Sequence, residues 1–133
     1  MAKFERITRA HMKPLLEPYG LCEATRHGDT LTLGGQTGID ATHQVVGDLK
    51  AQAAQAFRNI REVIEAAGGR AENLVHLTWY LAESGRSFME EAFEITAARE
   101  EALPGVVCPS TAVRVKALLT PDILIEIQAV AAL

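Results

Sequence analysis

The residue best placed for chemistry is Glu126, set in the C-terminal run Ile123-Leu124-Ile125-Glu126-Ile127-Gln128-Ala129-Val130. Strand alternation puts Ile123, Ile125, Ile127 and Ala129 on one face and Leu124, Glu126, Gln128 and Val130 on the other. The first face is pure core. The second is too apolar for free solvent, and a carboxylate buried there is costly unless paired, so it suits a subunit interface or a cleft. In such a place Glu126 could position or deprotonate a water as a general base. Arg114 shares a strand face with Ser110 and Ala112 and stands roughly 13 Å along from Ser110. Arg114 and Glu126 are expected on paired strands, where they either form a structural ion pair or shape a pocket. His76 and Tyr80 could reach the rim of that pocket, although a half-buried strand histidine is more often a satisfied polar neighbour. His11, His27 and His43 fall in irregular segments and make a poor metal set. Cys22 and Cys108 are too few for a disulfide framework or a zinc site and read as small buried hydrophobes. No metal and no cofactor is expected.

Length and composition bound the rest. The chain has 133 residues, 48% apolar and 23% charged, which fits one domain, 1–133, with a single core. No apolar run approaches the roughly 20 residues that span a bilayer. The start, Met1-Ala2-Lys3-Phe4-Glu5-Arg6, lacks the apolar core of a signal peptide. The expectation is a cytoplasmic protein without a membrane partner. A net charge of −4 and the lack of a long basic cluster argue against a nucleic-acid partner.

The elements that must hold Glu126 follow from periodicity. Lys3 to Ala10 offers a short edge strand, and Pro14 and Pro18 make the next segment irregular. Leu21 to Arg26 and Thr30 to Gly34 flank a Gly28-Asp29 hairpin turn. Gly34-Gly35-Gln36-Thr37-Gly38 reads as a loop; it lacks the Gly-Lys-Ser/Thr ending of a phosphate loop. Asp48 caps a helix running to about Ala67, with Leu49, Ala53, Ala56, Phe57, Ile60, Val63, Ile64 and Ala67 in one apolar stripe. Leu74 to Leu81 alternates as a strand, with Val75, Leu77, Trp79 and Leu81 on one face and His76, Thr78 and Tyr80 on the other, mixed one. Ser87-x-x-Glu90 opens a second helix, whose buried side carries Phe88, Ala92, Ile95, Ala98 and Ala102. Pro109 to Ala117 and Ile123 to Ala131 are expected to form a hairpin across Thr120-Pro121-Asp122.

The order is ββαβαββ, an α+β mixed sheet with both helices packed on one face by right-handed crossovers. The helix-free face then carries His76, Thr78, Tyr80, Glu126 and Gln128. A semi-apolar face of that kind is usually buried against another copy, and closed symmetric oligomers are the common solution. A homo-oligomer is the expectation.

The chain resembles the RidA/YjgF reactive-intermediate deaminase family along nearly its whole length. The resemblance rests on Pro18-Tyr19, Gly28-Asp29-Thr30, Gly35-Gln36, Gln52 through Asn59-Ile60 to Glu65-Ala66-Ala67-Gly68, Leu74 to Leu81, and Ile125 through Ala131. It implies a chorismate-mutase-like single domain assembled as a homotrimer, with clefts between subunits. It also implies hydrolysis of enamines and imines to a 2-keto acid and ammonia. Glu126 stands at the family's glutamate, and Tyr19 and Gly35 match cleft residues. The family arginine that clamps the substrate carboxylate in a bidentate fork aligns with Ser110, just before Thr111. The cleft cysteine aligns with Ala112, the helical asparagine with Ala92, and the serine before the Gly-Gln pair with Gly34. Losing the clamp costs on the order of a few kcal/mol of substrate binding, which points to a non-standard substrate. Arg114 is the candidate substitute.

Two functions compete on these residues. One is an imine or enamine hydrolase acting on a non-standard substrate; the other is a trimer that binds a small-molecule ligand without chemistry. A ribonuclease or translation inhibitor, attached to some relatives, fits an acidic chain least.

Overall fold

Residues 3–133 are described by the computed structural model; Met1 and Ala2, which begin the segment read above for a signal peptide, lie outside them. Six strands form one sheet: Glu5–Ile7 (β1), Ala24–His27 (β2), Thr30–Thr37 (β3), Leu74–Ala82 (β4), Ser110–Val115 (β5) and Ile125–Ala132 (β6). A four-residue helix, Lys13–Leu16 (α1), lies between two 3-10 turns in the proline-bearing segment. The long helices are Leu49–Ala66 (α2) and Phe88–Ala102 (α3).

Both long helices begin where their caps predict. The Asp48 carboxylate accepts from the Ala51 N–H, and the Ser87 hydroxyl accepts from the Glu90 N–H, each satisfying a donor that the first turn leaves free. The α2 stripe Leu49, Ala53, Ala56, Phe57, Ile60, Val63 and Ile64 is buried throughout. On α3 the buried line is Glu91, Ile95, Ala98 and Ala102. Phe88 departs from the expectation and stays exposed, its ring lying against the Arg114 guanidinium at 5.2 Å.

The strand order is β1-β2-β3-β6-β4-β5. The expected hairpin between the last two strands does not form. β6 runs antiparallel between β3 and β4, while β5 lies parallel to β4 at the sheet edge. Two physical reasons explain the correction. The β4–α3–β5 crossover brings β5 back beside β4. Meanwhile β6, whose Ile125, Ile127, Ala129 and Ala131 are all buried, satisfies its backbone on both edges by pairing with β3 and β4. The Gln52 amide, buried at 2% exposure, ties the entry to β6 against α2: it donates to the Asp122 carbonyl and accepts from the Leu124 N–H, both at 2.9 Å.

Gly34 and Gly35 do not form a loop. They continue β3 as a bulge, two residues facing Gln128 alone, between the Leu33–Ala129 and Gln36–Ile127 pairs. The core fills one side of the sheet, where Leu31, Leu33, Leu77, Leu81, Ile125 and Ile127 meet Phe57, Ile60, Ile64 and Ile95. Both helices sit there. The other side presents Thr32, His76, Thr78, Tyr80, Glu126, Gln128 and Val130, with no helix over it. Among the described residues no helix is long and apolar enough to cross a membrane, and no group of His, Cys, Asp and Glu could hold a metal ion.

Candidate functional site

Glu126 lies on the helix-free side, level with Thr37 of β3 and Tyr80 of β4. Its carboxyl makes no hydrogen bond or ion pair among the described residues, and burial pushes its pKa up. The β3 bulge makes room for it. A Cβ built on Gly35 would lie 2.0 Å from Glu126 Oε1 and 2.7 Å from its Cδ and Cγ. Glycine at 35 therefore lets the carboxyl side chain lie directly on the backbone. Beside it the Tyr80 hydroxyl donates to Gln128 Oε1 at 3.3 Å. Among the described residues no Lys or Arg stands next to Glu126 on this side; the nearest strand position that carries one is Arg6, three strands away on β1.

A second group of candidate residues lies elsewhere. Parallel partners share a sheet face, so Ser110, Ala112 and Arg114 lie with Leu77, Trp79 and Leu81 on the helix side of β5. Arg114 and Glu126 are thus on neither paired strands nor one face. The Arg114 guanidinium donates to Glu91 Oε1 at 2.5 Å and to the Ala82 and Arg86 carbonyls. The Glu91 side chain is 4% exposed and also accepts from the Ser84 hydroxyl. Arg114 is therefore committed to holding α3 on the sheet edge. Trp79, paired with Ala112, buries its indole Nε1 without an acceptor.

Two surface clefts, of about 360 and 400 Å³, are lined by residues of the β1–α1 region and of the α2 N-terminus, and neither contains a candidate residue. The endoribonuclease L-PSP family model matches residues 14–133. The chain belongs to this family, the RidA/YjgF family. A RutC family protein of Pyrococcus horikoshii is 33% identical over 116 residues, 86% of each chain. A 2-iminobutanoate/2-iminopropanoate deaminase of Dermatophagoides farinae is 32% identical over 66 residues, 48% of this chain and 50% of that one. A solved protein of unknown function from Pseudomonas aeruginosa superposes with a TM-score of 0.82 at 32% identity, covering 99% of this chain and 94% of that one.

In this RidA/YjgF chain the candidate residues fall into two sets. Gly34, Gly35 and Glu126 adjoin at the bulge. Thr111 also points to the helix-free side, beside Thr78 on the β5 edge. Tyr19 is 79% exposed at the end of a 3-10 turn. Ser110 and Ala112 line the opposite side of β5, and Ala92 is half-buried on α3. Sequence reading missed Glu91, although a carboxylate on the buried line of a helix, one turn before Ile95, signals a buried partner. Thr37 is a second such residue: glycine-rich 34–38 has the composition of a loop, and only the bulge brings Thr37 level with Glu126.

Proposed function

We propose that the chain assembles as a homotrimer whose clefts join the Glu126 side of one subunit to the β5 edge of the next. In them it hydrolyses an imine or enamine on a non-standard substrate to a carbonyl and ammonia. The observation that carries this reading is the half-buried, unpartnered Glu126 carboxyl laid over Gly35 on a face with no helix. The split of the candidate residues between two sides of the sheet supports an inter-subunit cleft, since one chain cannot bring them together. The resemblance to a 2-iminobutanoate/2-iminopropanoate deaminase supports the reaction class.

The chemistry asks for one base. Glu126 takes a proton from water as the water oxygen bonds to the imine carbon, the C=N electron pair moves to nitrogen, and Glu126 returns that proton to the nitrogen. Glu126 next takes part in moving the carbinolamine hydroxyl proton to nitrogen. The C–N bond then breaks and leaves C=O and ammonia. An enamine enters by protonation at carbon. A carboxylate whose pKa is raised is a better base near neutral pH than an ordinary one.

The test is ammonia release from 2-aminoacrylate generated in situ and from larger imino acids, with assembly measured by sedimentation equilibrium. The expected result is trimers that accelerate release on at least one substrate, with a loss of about 100-fold or more in Glu126→Gln. Trimers that bind these compounds without turnover would replace the hydrolase by a binding protein, and monomers would remove the cleft altogether.

A further inference from the structure

We infer that Arg99 supplies the cation for an anionic substrate group at the β5 edge. The inference rests on the reading of Ser110 and Ala112 as one wall of the cleft. α3 connects the parallel strands β4 and β5, so it runs against them. The contact between the Phe88 ring and the Arg114 guanidinium fixes the two elements at one end. From Phe88 to Arg99 a helix rises about 16 Å. The same distance back from Arg114 is about five residues of strand, which reaches Pro109, next to Ser110.

Rotation agrees with the rise. At about 100° per residue, Arg99 lies within about 40° of both Phe88 and Ala92 around α3, on the flank that faces β5. A third observation is independent of both. Burial raises the Cys108 thiol pKa, and the Arg99 charge acts against that rise, so Arg99 is felt at Cys108, two residues before Ser110.

Arg99 is half-buried and forms no ion pair among the described residues. Arg9, Arg61, Arg70, Arg86 and Arg114 each hold a carboxylate. The positions one turn away from Arg99 are Ile95, Thr96, Ala102 and Leu103, so its own helix offers no counter-charge. A guanidinium in this state keeps its fork of donors for an anion, and carboxylates fit that fork bidentately.

The experiment titrates pyruvate, a 2-oxo acid of the product class, into wild type, Arg99→Gln and Arg99→Lys, following the amide resonances of Gly35, Ser110 and Thr111. The expected result is pyruvate-dependent shifts at Ser110 and Thr111, at least tenfold weaker affinity in Arg99→Gln, and partial recovery in Arg99→Lys. Unchanged β6 resonances establish that each variant is folded. Equal affinity in Arg99→Gln with the same shifts would overturn the role of Arg99 while leaving the cleft in place. No shift at these resonances in wild type would overturn the cleft reading together with this inference.

Discussion

Gly35→Ala tests the Glu126 seat directly. The new Cβ would stand 2.0 Å from Glu126 Oε1 and 2.7 Å from Cδ and Cγ, far inside the roughly 3.5–4.0 Å of ordinary contact. Because the carboxyl has no hydrogen bond to lose, the side chain gives way and the backbone stays. Overpacking of this kind costs about 1–3 kcal/mol. The φ of Gly35 is not positive, so alanine also removes unfolded-state freedom, a gain of about 0.4–1 kcal/mol. The net expectation for Gly35→Ala is a loss of about 1–2 kcal/mol by urea denaturation at fixed protein concentration. In a Glu126→Ala background the clash is gone, and the same change becomes neutral or stabilising, a coupling of about 2 kcal/mol. A ¹³C titration of the Glu126 carboxyl in Gly35→Ala should show its pKa falling toward the ordinary carboxylate value as the group swings into solvent. A Gly35→Ala loss of equal size in both backgrounds would refute the seat, because the strain would then come from somewhere other than Glu126.

Three further outcomes are expected. The raised pKa of Glu126 means that the folded chain binds this proton more tightly than the unfolded chain. The resulting penalty is absent below the ordinary range near about pH 4.3 and complete above the folded pKa. Glu126→Gln should therefore be more stable than wild type at pH 8, with thermal unfolding curves converging near pH 4. Arg114→Ala strands the Glu91 carboxylate, which is 4% exposed, and should cost about 3 kcal/mol or more in chemical denaturation, with Arg114→Lys recovering only part of it. Gln52→Leu leaves the Leu124 N–H and the Asp122 carbonyl without their partner, and should lower the urea midpoint by the equivalent of at least about 2 kcal/mol with an unchanged slope.

What was legible in the sequence was local. Asp48 and Ser87 announce their helices because a cap acts within three residues, and the alternation from His76 to Leu81 reports its two faces without reference to any neighbour. It fails at Val75, which strict alternation puts with Leu77 in the core but which is exposed while Leu74 is buried, because the pairing with β6 shifts register between Leu74 and His76. Strand order is different in kind. The Thr120-Pro121-Asp122 turn is real, with the Ile123 N–H donating to the Thr120 carbonyl, yet a turn between strands does not make them partners. β5 is claimed by the crossover from β4, and β6 by β3 and β4, which pair with its two edges. The Gly34-Gly35 pair misled for a related reason, since glycine marks loops and bulges alike and only the pairing partner distinguishes them. Arg114 could be seen as a charge on a strand; its partner Glu91 comes from a helix across the sheet edge, a contact that no spacing rule encodes.

The placement of β6 governs when the chain can fold. Every hydrogen-bonded link between the β1-β2-β3 ribbon and the β4-β5 pair passes through residues 125–132. A nascent chain halted before residue 124 therefore holds two separate ribbons with their inner edges bare, and such edges invite association with other chains. Completion of the fold must follow release of this stretch from the ribosome, and a C-terminal deletion should yield insoluble material rather than a smaller stable protein.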